Sequence, residues 1–135
     1  MSAGYSGTPL ATKLGVKPGH RLLLIGAPDG FDDLLGPLPA DVRILRRRAA
    51  ADVVGCFVTA YAELRRRFDP LAAAVFPAGG LWFAWPKRAA RVPTDLTEDV
   101  IRDHAVAAGL VDNKVCAIDD TWSGLRIVHR RESRS

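Results

Sequence analysis

Three stretches of this chain are apolar without interruption, and they restrict its fold more than any other feature. Residues 21–25 read RLLLI, 52–59 read DVVGCFVT, and 81–85 read LWFAW. A strand with one wet face alternates polar and apolar residues; a continuous run needs cover on both faces, as in a parallel sheet sandwiched between helices. The intervening segments supply those helices. Tyr61, Leu64, Phe68, Leu71 and Val75 recur at gaps of three, four, three and four, one face of a helix. Pro70 falls inside that stripe, and Asp69 followed by proline reads as a fresh cap and first turn, so two consecutive helices are expected. Shorter helices are expected at 10–14, after Thr8-Pro9, and at 31–35, closed by Gly36-Pro37. A further helix is expected to be capped by Thr94 or Thr97 and to run to Ala108, with Glu98 and Asp99 in its first turn. A short strand is expected at 42–45.

Strands alternating with helices make an α/β domain with a largely parallel sheet. The last two strands, 111–118 and 125–128, are joined by about six residues, too few for a parallel crossover. They form an antiparallel pair, and the sheet is mixed. At 135 residues the chain is expected to be a single domain, 1–135, with loose tails at 1–7 and 131–135.

Composition narrows the function classes. Apolar residues make up 48% of the chain, which excludes a disordered protein. The net charge of +4 is a mild excess, and the triplets Arg46-Arg47-Arg48 and Arg65-Arg66-Arg67 supply much of it; nucleic acid is not an expected partner. No segment reaches the roughly 18 apolar residues needed to span a bilayer, so a cytoplasmic protein is expected. Cys56 and Cys116 sit in apolar strand patterns and read as buried, reduced thiols, and His20, His104 and His129 lack metal-ligand spacing.

A parallel α/β sheet ending in an antiparallel pair resembles a class I SAM-dependent methyltransferase, a Rossmann-like fold. RLLLIG resembles that family's first strand and following glycine, ADVVGCFV its fourth strand, and FPAGGLWFAWP the turn into its fifth. The resemblance covers roughly residues 18 to 130 and leaves the chain one strand-helix unit short. The phrases YSGTPLATKLG, WPK, TDLTEDV and GLVDNKVCAIDDTWSGL are also similar to a small actinobacterial family known only as a domain of unknown function.

The resemblance directs attention to the loop after the first strand, where Gly26 and Gly30 are the cofactor-side candidates. Pro28 removes an amide there, Asp29, Asp32 and Asp33 make the loop acidic, and Arg46–Arg48 stand where a ribose-binding acid is usual. Arginine there could meet a 2′-phosphate, but an exposed basic face is the simpler reading. No cofactor is therefore expected, and the chain reads as a non-catalytic binding or regulatory domain, the alternative being a minimal SAM-dependent methyltransferase. No GxSxG elbow, P-loop or HExxH occurs. The expected partners are a small molecule, another protein or a second copy.

Ligands of open α/β sheets bind beyond the carboxyl ends of the strands. Trp82 and Trp85 read onto one face of their strand, and Trp85, Lys87, Arg88 and Thr97 mark a cationic rim suited to a small anion. Asp119, Asp120 and Trp122 should share that rim. Two accounts of the corner stay open: a clasp in which Lys87 or Arg88 pairs with the acids, or a ligand wall with Asp119 or Asp120 as acceptor.

Overall fold

In the computed structural model, which describes residues 8–133, six strands form one sheet. In chain order the elements are α1 (Leu10–Lys13), β1 (Arg21–Ile25), α2 (Phe31–Leu35), β2 (Arg43–Leu45), β3 (Val53–Phe57), α3 (Tyr61–Val75), β4 (Gly80–Pro86), α4 (Glu98–Ala107), β5 (Leu110–Ala117) and β6 (Trp122–His129). A single 3-10 turn, Arg88–Ala90, follows β4, and another, Arg131–Ser133, follows β6. The expected tail at 131–135 therefore begins with a turn; residues 1–7 and 134–135 lie outside the described residues.

The strand order is β2-β1-β3-β4-β6-β5. β2, β1, β3 and β4 are parallel, and β6 is antiparallel to both β4 and β5. The fold is thus the expected Rossmann-like α/β sheet, mostly parallel with an antiparallel pair and helices on both faces. The apolar runs explain the arrangement: every residue of β3 and β4 is buried. One face packs Leu23, Val54, Cys56, Phe83 and Trp85 against Leu64, Phe68 and Leu71 of α3 and Ile101 and Ala105 of α4. The other packs Leu22, Leu24, Phe57 and Trp82 against Leu10 and Leu14 of the α1 region and Phe31 and Leu35 of α2.

Trp82 and Trp85 therefore lie on opposite faces, not on one. Residues three apart on a strand of period two must point to opposite sides. The two cysteines are separated in the same way, Cys56 on the α3 face and Cys116 on the α1 face, and both are free and buried. α3 is also one helix where two were expected. Pro70 removes the amide that would bond the carbonyl four residues back, at exposed Arg66, while Phe68 and Leu71 stay buried on either side. Tertiary packing holds the helix straight through a residue whose local preference would end it.

β6 begins at Trp122, three residues earlier than the apolar pattern indicated, and includes the Ser123-Gly124 pair read as a turn. Gly124 explains why: a Cβ there would stand 3.1 Å from both Ile118 Cδ1 and Trp82 Cε3. The glycine sits at a close approach inside the sheet, where an added Cβ would press on two side chains.

Candidate functional site

At the carboxyl edge, β4 ends at Pro86 and the chain crosses the rim before entering α4. Thr94 and Asp95 anchor this crossing to the end of β3. Thr94 Oγ1 donates to the Thr59 carbonyl at 2.5 Å and accepts from Leu96 N at 3.1 Å, while Tyr61 N donates to Asp95 Oδ1 at 2.8 Å. Thr97 is the helix cap: its Oγ1 accepts from Val100 N at 3.2 Å. Arg102 clamps the start of α4, donating to Glu98, to Asp99 (2.8 Å) and to Asp112 of β5 (3.0 Å). Its hydrogen bonds to Glu98 and Asp112 push the guanidinium pKa further up, so it stays charged.

The loop so held borders an open cleft of about 500 Å3. Trp85 and Leu96 form its apolar side, Arg88 and Arg91 are cationic residues of its lining, and Thr97 and Glu98 bring the start of α4 to it. Of the sequence-predicted residues, Trp85, Arg88 and Thr97 line this cavity; Lys87, Asp119, Asp120 and Trp122 do not. Arg91, Val92, Pro93 and Thr94 line it too and were missed. The run 87–93 reads as a solvated basic loop, and the bonds that shape it join residues about 35 positions apart.

The acidic corner does meet the end of β4, but through backbone. Pro86 pairs with Trp122, Trp85 with Ser123, and Lys87 N donates to the Thr121 carbonyl at 2.7 Å. Asp119 caps the corner itself: its Oδ1 accepts from Thr121 N at 2.8 Å and Trp122 N at 2.7 Å. Among the described residues no ion pair joins Asp119 or Asp120 to Lys87 or Arg88, so the expected charge pairing is corrected to a carboxylate bound to its own turn. Trp122 packs inward, its ring 5.1 Å from Phe57 in an edge contact. Asp119→Ala should lower stability by about 1–3 kcal/mol, because two part-buried amides lose their acceptor. Exposed Asp120→Ala should change it by less than about 0.5 kcal/mol. Paired urea melts decide; equal losses would contradict this division of labour.

The β1 end holds the glycine candidates. Gly26 has φ 69°, and a Cβ there would lie 3.0 Å from the Phe57 carbonyl oxygen. Glycine is therefore required, and the edge is bare backbone. Gly30 precedes α2 in the left-handed region, φ 83°, with open space around it. Arg46, where a ribose-binding acid was sought, instead bonds Asp32 Oδ2 of α2 at 2.6 Å, so the loop's acidity is partly matched.

The histidines serve the fold. His20 Nδ1 accepts from Lys17 N, His104 meets the Tyr61 hydroxyl at 2.9 Å, and His129 Nε2 bonds the Ala72 carbonyl at 2.7 Å. Among the described residues no cluster of His, Cys, Asp or Glu could hold a metal ion, and no helix is long and apolar enough to cross a membrane.

No protein-family model matches the chain, and no curated protein matches it. Solved structures do. A SAM-dependent methyltransferase from Aquifex aeolicus is 16% identical, with 86% of this chain covering 85% of that one at a TM-score of 0.58. The ribosomal protein L11 methylase of Lactobacillus delbrueckii subsp. bulgaricus is 11% identical over 89% and 74%, TM-score 0.57. A NADB-Rossmann superfamily protein from Streptococcus agalactiae is 11% identical over 93% and 69%, TM-score 0.53. These neighbours overturn the expectation that leaned away from an enzyme. Domains of this architecture are solved as methyltransferases, so the short sheet and the altered loop are no ground for reading catalysis as lost. At such identities the likeness is one of fold, and the chain has the methyltransferase-like fold.

Proposed function

We propose that this chain is a minimal SAM-dependent methyltransferase acting on a small anionic acceptor. The observation that carries the reading is the cavity at the carboxyl end of β4, with Trp85 in its wall and Arg88 and Arg91 in its lining, on a fold shared with methyltransferases. The similarity of YSGTPLATKLG, TDLTEDV and the corner phrase supports membership in the small actinobacterial family as well.

The edge keeps the glycine of the pattern at Gly26, where a side chain would meet the Phe57 carbonyl. It departs from the usual pattern after β2. There Arg46 holds Asp32 at the rim, and Asp32 would accept from the ribose in place of a second-strand acid. When bound, the donor supplies an electrophilic methyl group. Arg88 and Arg91 would draw and orient the acceptor's negative charge, and Trp85 and Leu96 would exclude water from one side of it. The carboxylate in the cavity wall, Glu98, is engaged by Arg102. An acceptor that is already an anion at neutral pH, such as a carboxylate, needs no base and suits this lining.

A thermal-shift titration tests the donor. A ligand that binds only the native state adds about 2.7 kcal/mol at a hundredfold excess over Kd, so SAM should raise the midpoint by several degrees. The shift should vanish in Gly26→Val, and a cooperative melt of that variant without ligand shows that the loss is one of binding and not of folding. A midpoint unmoved by millimolar SAM in the wild-type protein would sink the reading.

A further inference from the structure

A second cavity lies on the α3 face beside the end of β1, and the proposed methyl transfer makes no use of it. It measures about 140 Å3 and is lined by Ile25, Arg48, Arg66, Arg67, Pro70 and Leu71. Three arginines thus converge on one small hollow with an apolar floor. Their partners differ. Arg67 Nε bonds Glu63 Oε2 at 3.3 Å, one turn back on α3. Arg48 and Arg66 have no carboxylate partner among the described residues, whereas Arg46 and Arg130 have one each and Arg102 has three. Arg65, between them in sequence, points away and lies over the Tyr61 ring at 5.9 Å.

Two accounts of the hollow differ in what they require. The arginine stems could simply cover Ile25 and Leu71 where the connection between β2 and β3 is short. Stem cover is indifferent to where the charges end, and like charges spread apart when nothing lies between them. Here Arg48 and Arg66, which have no carboxylate partner among the described residues, and Arg67, bonded to Glu63, line a common space. Their field reaches the core: Arg67 and Arg66 both act to lower the pKa of Cys56 from the neighbouring strand. The space is too small for a nucleoside but suits a compact anion, and a guanidinium fork matches phosphate oxygens in pairs.

We propose that Arg48, Arg66 and Arg67 form a phosphate-binding subsite, filled by orthophosphate or by the phosphate of a small phosphorylated ligand. Phosphate binding here needs no methyl donor, so this assignment and the methyltransferase reading can fail separately.

The test is a titration of the full chain with orthophosphate, AMP and adenosine, followed by 15N NMR at constant ionic strength. Saturable shifts centred on Arg48, Ile25 and Arg66 are expected with orthophosphate and AMP and not with adenosine. AMP binding tighter than orthophosphate would identify a carried phosphate as the ligand, and equal binding the free ion. Arg48→Ala and Arg66→Ala should each weaken binding about tenfold, the effect of losing one charge-assisted hydrogen bond. Arg65→Ala should leave it unchanged. All three positions are exposed, and the variants' melts check that the fold is kept. The proposal is overturned if orthophosphate does not saturate, or if Arg65→Ala weakens binding as much as Arg66→Ala. It is also overturned if only a long oligonucleotide binds, with steep salt dependence, since that marks a diffuse basic face rather than a built site.

Discussion

Trp82→Ala is expected to lower the unfolding free energy by about 3–5 kcal/mol, the range for emptying a large buried aromatic site. Trp82 is 1% exposed and sits where β4 meets the α1 and α2 layer. Its indole Nε1 donates to the Leu14 carbonyl at 2.9 Å, a bond across 68 positions that ties the end of α1 to the sheet. Alanine removes both the ring and the donor, leaving a cavity beneath Leu10 and Leu14 and an unsatisfied carbonyl. Trp82→Phe keeps most of the ring and loses the bond, so a smaller loss of about 1–3 kcal/mol is expected from the orphaned acceptor and the volume deficit together. Because α1 is only four residues long and depends on this contact, its amides should lose hydrogen-exchange protection before those of β3. Urea melts measure the first effect and exchange the second. A loss below about 1 kcal/mol for Trp82→Ala would show that α1 is not held through this residue.

What the sequence made legible follows from what is local. RLLLI, DVVGCFVT and LWFAW declare strands covered on both sides because each run exceeds anything a one-faced strand would tolerate. The short link after Ile118 declares an antiparallel pair because no crossover fits in it. The continuity of α3 was not legible: Pro70 carries a strong local signal, and the packing of Phe68 and Leu71 that overrides it is tertiary. Gly124 reads as a turn until Trp82 and Ile118 are known to press on it.

The site divides in the same way. Trp85, Arg88 and Thr97 were legible because each sits at the end of a recognisable element on the ligand-binding edge. Arg91 to Thr94 were not, because the loop's shape depends on Thr59 and Tyr61, across the chain. The acids at 119 and 120 were legible as a specific corner. Their chemistry was mistaken: Asp119 has nearer partners, the two amides that follow it, than any lysine. The arginine hollow rests on a coincidence of two separate triplets that only folding brings together.

Alkaline pH should destabilise the protein through one buried thiol. Cys56 is fully buried on the α3 face of β3, and that burial pushes its pKa from 9.0 up to about 12, against the lowering effect of Arg67 and Arg66. The native thiol thus keeps a proton that the unfolded chain gives up. Its contribution to stability is complete below about pH 9 and is lost as pH rises from 9 towards 12, because the unfolded state gains by ionising and the native state does not. The limiting slope is ~1.4 kcal/mol per pH unit, so the loss reaches about 4 kcal/mol across the window. Cys56→Ala isolates this contribution. The variant should start about 1 kcal/mol less stable, from the small cavity, and then cross the wild type above about pH 10 as the thiol's contribution disappears. The same burial should keep Cys56 unreactive to alkylating agents until the chain unfolds, since the thiolate is the nucleophile. Stability curves for the two proteins that run parallel from pH 8 to pH 11 would show that the Cys56 proton is not held by the fold.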